Sequence, residues 1–169
     1  MTTDVGRCSP GLPNRHGFLA AIRTNAAGAV HVGGLDHFFY FNNKVGHGAG
    51  DQLLCRFAGF LAEPVHLGSL ATHSGGDILA VYLPDTAAFA SAQRTQSVLE
   101  HKLAPDRDLA RQLLDPRCFA VPPATRFWTM SFGVAKLHQS GGTAEALAAA
   151  KTACISAKHS GRNRVAAVP

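Results

Sequence analysis

Ser74-Gly75-Gly76-Asp77-Ile78-Leu79 is a hairpin turn written into sequence. Paired glycines supply the positive φ angles a tight connection needs, and apolar runs lie on both sides. Upstream, Leu67 to Thr72 is predicted as one strand. Downstream, Ile78 to Leu83 is predicted as a second, apolar on both faces as in the interior of a sheet. Farther out, Gly28 to Gly34 reads as a buried strand with Val30 and Val32 on one face. Phe127 to Val134 reads as another strand and Asn163 to Val168 as a last short one. Helices are predicted over Pro13 to Asn25, Ala49 to Leu61, Thr86 to about Leu103, and Thr143 to His159. Pro13 suits a first helical turn, with Phe18, Ala21 and Ile22 forming its stripe. Leu53, Leu54, Phe57, Ala58 and Leu61 form the stripe of the second helix. Thr86 and Thr143 are read as caps, with Gly161 just past the last helix. Asp36 to Val45 is a short irregular or helical turn rich in aromatics. Residues 104–126, with four prolines, are read as a short helix (Leu109 to Leu114) and loop. The order α-β-α-β-β-α-β-α-β implies a mixed sheet covered by helices, an α/β (α+β) fold.

Composition narrows the field. The 169 residues suit one domain, with 46% hydrophobic and 16% charged residues. No apolar run approaches the ~18 residues of a membrane-spanning helix. Membrane insertion is therefore not expected, and Met1 to Gly11 lacks the apolar core of a signal peptide. Cys8, Cys55, Cys118 and Cys154 form no C-x-x-C pair and read as reduced thiols of a cytoplasmic protein. The net charge of +5 suits a nucleotide phosphate. Only Lys158, Arg162 and Arg164 cluster, and no basic stripe carries interleaved aromatics. Nucleic acid is accordingly not an expected partner. The nine histidines match no zinc spacing and read as ordinary surface and core residues.

Two further landmarks flank the hairpin: Gly11-Leu12-Pro13-Asn14-Arg15, and Ala157-Lys158-His159-Ser160-Gly161-Arg162-Asn163-Arg164. With Gly46-His47-Gly48-Ala49-Gly50-Asp51 they fall in one order, and in that order the chain resembles the GGDEF family of diguanylate cyclases. The likeness spans about residues 11–168, leaving 1–10 as an N-terminal extension and 11–169 as a degenerate GGDEF domain. It implies a ferredoxin-like palm similar to that of nucleotidyl cyclases, with a central five-stranded mixed sheet flanked by helices.

The resemblance also implies chemistry. Joining two GTP molecules into cyclic di-GMP requires charge neutralisation by a divalent metal, which takes carboxylate oxygens. The family draws these from the first Asp of D-x-D-x-F-K and from the acids of the signature turn. Here the first motif reads Gly34-Leu35-Asp36-His37-Phe38-Phe39, so the metal Asp is Gly34 and the phosphate-facing Lys is Phe39. In the turn Asp77 survives, the second acid is Ile78, and the usual Phe is Leu79. The catalytic set is therefore not expected intact. Mg²⁺, if held, would be held weakly by Asp77, with Asp36 as a substitute reachable only by local rearrangement, and the fold would require no cofactor.

Other implied positions remain. Asn42 and Asp51 match the family's guanine-reading residues. A carboxylate can accept from guanine N1–H and N2–H₂, and an amide can serve another edge. Read without the resemblance, Asp51 caps a helix starting near Ala49 and Asn42 closes a turn. Lys158 and Arg162 match residues that reach terminal phosphates, although basic residues also suit a helix C-terminus. Gly75 and Gly76 permit close backbone approach. The product-inhibition motif R-x-x-D is replaced by His66-Leu67-Gly68-Ser69, so no cyclic di-GMP site is expected there.

The expected function is a guanine-nucleotide-sensing or protein-interaction module in cyclic di-GMP signalling, without cyclase activity. Its partners would be GTP and another signalling protein or a second copy of the chain. One alternative is an active cyclase or NTP hydrolase using Asp36 with Asp77. Another is an interaction domain that binds no nucleotide, its pocket plugged by aromatics such as Phe39 and Tyr40.

Overall fold

A computed structural model describes residues 13–23, 27–62, 70–84, 129–137 and 142–168, with side chains at 44–45 and 56–62 left aside. The elements are α1 (Arg15–Ile22), β1 (Gly28–Leu35), α2 (Phe38–Val45), α3 (His47–Ala62), β2 (Leu70–Gly75), β3 (Ile78–Leu83), β4 (Met130–Leu137), α4 (Thr143–His159) and β5 (Val165–Val168). The five strands form one sheet in the order β2-β3-β1-β4-β5. Every pairing is antiparallel except β4 with β5, which makes the sheet mixed, as the element order implied.

Apolar content dictates strand position. All eight residues of central β1 are buried. In β3, Leu79 to Leu83 are buried, as expected of a strand hydrogen-bonded on both edges. Val30 and Val32 lie on one face with Ala80 and Tyr82. That face packs against Phe18 and Ile22 of α1 and against Ala146, Leu147, Ala150 and Cys154 of α4. Ala21, read as part of the α1 stripe, is exposed instead.

Helix ends depart from expectation in instructive ways. α1 starts after Pro13, because Asn14 caps it: its Oδ1 accepts from Gly17 N at 2.9 Å. The helix ends at Ile22, short of Asn25. α4 covers the expected residues, but its cap is Gly142 rather than Thr143. Glycine has no side chain to give, so only the returning half of a capping box forms: Gly142 N donates to Glu145 Oε2 at 3.3 Å. At the far end Gly161, with φ +114°, follows the helix, and Arg162 N donates to Ala157 O at 3.0 Å. This is a Schellman closure.

Asp36 to Val45 resolves into a turn and helix α2. The segments 63–69, 85–128 and 138–141 lie outside the described residues. So do the expected helices of Thr86 to Leu103 and Leu109 to Leu114, the His66 to Ser69 segment, the thiols Cys8 and Cys118, and the 1–10 extension. Cys55 and Cys154 are thiols not joined in a disulfide, and Cys154 Sγ donates to Ser131 O at 3.1 Å.

Candidate functional site

Three segments meet where β1 ends: its last residues, the β2–β3 turn, and the C-terminal turn of α4. The register sets Gly34 opposite Ile78 on one side and opposite Ser131 on the other. At the turn Gly75 pairs with Ile78, so Gly76-Asp77 is the connecting pair. Gly75 and Gly76 carry φ +104° and +62°, as a glycine-built turn requires. A side-chain carbon added to either would meet nothing among the described residues within 4 Å.

Lys158, on the last turn of α4, reaches across this end of the sheet. Its Nζ lies 2.5 Å from Asp77 Oδ2 and 3.0 Å from the carbonyl oxygen of Leu35. The two side chains are half-buried, at 24% and 26% exposure. The ammonium also fills the space beside Gly34. A Cβ at Gly34 would sit 2.7 Å from Lys158 Nζ and 3.4 Å from Asp77 Oδ2. The absence of a side chain at Gly34 therefore leaves room for the lysine. Sequence reasoning assigned Asp77 to metal and Lys158 to phosphate, and missed that they pair with each other. The available signal was two opposite charges, Asp77 and Lys158, in motifs placed around Gly34.

Asp36 is engaged elsewhere. It is buried, at 3% exposure. Its Oδ2 accepts from Thr129 Oγ1 at 2.7 Å and from Asn163 N at 3.0 Å, and its Oδ1 from Ser131 Oγ at 2.7 Å. Asp36 N completes the link by donating to Thr129 O at 2.9 Å. The carboxylate thus ties the end of β1 to the start of β4 and to the loop after α4. In that loop Arg162 and Asn163 hold left-handed φ of +62° and +46°, a conformation non-glycine residues adopt at a cost. The Asp36 bond to Asn163 N helps hold it. Arg162 is exposed, and its carbonyl accepts from Arg164 Nε at 3.0 Å.

The candidate base-reading residues lie on α2 and α3. α3 begins at His47, so Asp51 stands a full turn inside the helix and is not its cap. Asn42 does help close α2: its backbone carbonyl accepts from Gly46 N at 2.8 Å. Its side chain lies against Gly50, where any Cβ would collide with Asn42 Oδ1. That Oδ1 is buried and accepts no hydrogen bond from the described residues. Asp51 follows on the exposed side of α3. Phe39 is 79% exposed and Tyr40 42% exposed, so both rings reach solvent.

The carboxylate nearest Gly34 is paired with an ammonium, the Asp36 oxygens are taken by three donors, and position 78 is isoleucine. The residues present do not fit Mg²⁺. Among the described residues no three His, Cys, Asp or Glu side chains gather as a metal would require. Nor is any helix among them long and apolar enough to cross a membrane.

Comparison with known proteins gives a consistent result. The family described as diguanylate cyclase, GGDEF domain, matches residues 10–164. The response regulator PleD of Caulobacter vibrioides is 31% identical over 134 residues, which is 78% of this chain and 27% of PleD. The chain thus spans about a quarter of that curated relative. Among solved structures, the GGDEF domain of DgcB from Caulobacter crescentus, determined in complex with c-di-GMP, superposes with a TM-score of 0.69 at 22% identity, covering 95% of this chain and 92% of that one. The diguanylate cyclase SiaD from Pseudomonas aeruginosa, in complex with its activator SiaC, gives 0.71 at 22% identity over 94% of this chain and 59% of its own.

Proposed function

This chain belongs to the GGDEF family, and from that premise we propose that it is a degenerate member, a guanine-nucleotide-sensing or protein-interaction module in cyclic di-GMP signalling that does not itself make the dinucleotide. The observation that carries the reading is the ion pair between Lys158 and Asp77 beside Gly34. Nucleotidyl transfer stabilises its transition state by neutralising charge on the transferring phosphate. Here the remaining acid of the turn is already neutralised by a side chain of the protein. Position 39 offers an exposed phenyl ring where the resemblance implies a cation.

Two features support retention of a guanine site. Asn42 keeps an amide acceptor unpaired among the described residues, which is a cost a ligand or rearrangement would relieve. Gly50, directly before Asp51, is the one residue type that fits against that amide. The exposure of Phe39 and Tyr40 argues against a pocket plugged by those rings. A signalling partner is supported by analogy with SiaD and its activator, and a cyclic di-GMP context by the DgcB complex.

The test is direct. Purified protein incubated with GTP and Mg²⁺ or Mn²⁺ should yield no cyclic di-GMP by chromatography. Losses of ~10² to 10³ for each missing stabilising group place turnover below detection. Robust product that Asp77→Ala abolishes would refute the proposal.

A further inference from the structure

We propose that the Lys158 ammonium is a built-in replacement for the divalent cation, so that the site takes a nucleotide's phosphates without metal. The inference rests on the guanine-nucleotide reading above for its ligand, and on local geometry for the rest. Lys158 Nζ sits between one carboxylate oxygen, Asp77 Oδ2 at 2.5 Å, and one backbone carbonyl oxygen, Leu35 O at 3.0 Å. Carboxylate and carbonyl oxygens are what a hard cation gathers. A metal ion placed between them would meet the ammonium itself, and two cations within a few ångströms repel. One carboxylate cannot offset both.

The geometry also leaves the lysine able to act. An ammonium has three donors. Two are spent on Asp77 and Leu35, and the side chain remains 24% exposed. The third proton is therefore open to a phosphate oxygen arriving from solvent. The Gly75-Gly76 turn borders the same end of the sheet, and no described residue crowds either glycine. Gly34 favours the arrangement, because a side chain there would crowd the ammonium and make it shift. Asp77 then has a role opposite to that of a metal ligand: it holds the lysine in place and competes with phosphate for it.

That inversion makes the test sharp. GTP is titrated calorimetrically into the intact protein in Mg²⁺ buffer and in EDTA. The proposal expects affinities equal within about twofold, and a loss of tenfold or more in EDTA overturns it. Asp77→Asn should tighten metal-free GTP binding about three- to fivefold, the reach of one partly exposed ion pair. Weakening by that variant means that Asp77 serves a metal, and overturns the idea. Lys158→Met, which keeps the aliphatic stem, should lower metal-free affinity at least tenfold, and an unchanged affinity counts against the proposal. Electron paramagnetic resonance of Mn²⁺ supplies an independent arm. The wild type should leave millimolar Mn²⁺ free, and bound Mn²⁺ overturns the proposal. If GTP binds in neither buffer, the guanine-pocket reading fails, while the Mn²⁺ arm still decides the fate of the built-in cation.

Discussion

Asn42, Gly50 and Asp51 lie together on α2 and α3, and they carry the proposed guanine contact. Gly50 lets α3 approach the Asn42 amide, and Asp51 is carried one position further on the same helix. If a nucleotide binds, guanine should be preferred over adenine by ~1–3 kcal/mol, as for other bidentate base contacts. Guanine presents N1–H and N2–H₂ donors to a carboxylate. Adenine presents none on its N1 edge and would leave the carboxylate unmatched. Asp51→Ala should erase the preference, whereas Lys158→Ala should weaken GTP and ATP alike. Competition binding of the two nucleotides to each variant checks this, and a preference untouched by Asp51→Ala would remove Asp51 from the site. Asn42 and Asp51 could be proposed from sequence because each is an amide or charged side chain within a motif. The Lys158–Asp77 pair and the Asp36 anchor could not. Both depend on which donors meet which oxygens across some 80 to 130 residues of chain, and no local spacing encodes that.

At the scale of elements, apolar runs and glycine turns carried most of the information. β3 runs from Ile78 to Leu83 and α4 from Thr143 to His159, as periodicity and punctuation indicated. The errors fell at element ends: β2 runs on to Gly75 and β4 to Leu137, three residues past the expected Thr72 and Val134, and α1 starts late. Asn14 outcompetes Pro13 for the start of α1 because its side chain satisfies an otherwise orphaned N–H. Other details are matters of fit. Gly133 of β4 lies so close to α4 that a Cβ would collide with Ala150 O and Cys154 N. These are backbone atoms, unable to swing aside. Gly133→Ala should force α4 off the sheet and cost about 1–3 kcal/mol, as overpacking does. Gly48→Ala is the control. Its Cβ meets nothing among the described residues within 4 Å, and it lies within α3. There alanine should be neutral or stabilising by about 0.5–1 kcal/mol. Thermal unfolding of the two variants should move Tm in opposite directions, or at least lower it only for Gly133→Ala. Equal losses would show that the contact between β4 and α4 is not the tight one.

The whole molecule is organised around β1, the central strand, and β1 carries a histidine at its middle. His31 is 2% exposed, lies across from Val81 and Val134, and its Nε2 has no hydrogen-bond partner among the described residues. Burial disfavours its charged form and lowers its pKa from 6.5 to about 4. The sign follows from proton binding. Below pH 6.5 the unfolded chain takes up a proton that the folded chain refuses, so stability falls as pH drops from about 6.5 toward 4. Above pH 6.5 both states hold the ring neutral and the full contribution is present. Converted at 1.36 kcal/mol for each pKa step, the loss between pH 7 and pH 5 is about 2 kcal/mol. Most carboxylates are still ionised at pH 5, so the histidine should dominate this window. Urea unfolding of the wild type at the two pH values should show the loss, and His31→Leu should flatten it. Leucine removes the titration without opening a large cavity, so the comparison holds even if the variant's stability at pH 7 differs. An acid limb of equal steepness in both proteins would assign the effect to other groups. A flattened limb would identify the centre of the sheet as the point through which mild acid loosens the scaffold. That scaffold holds Gly34 and Leu35, at the end of the same strand, against Lys158.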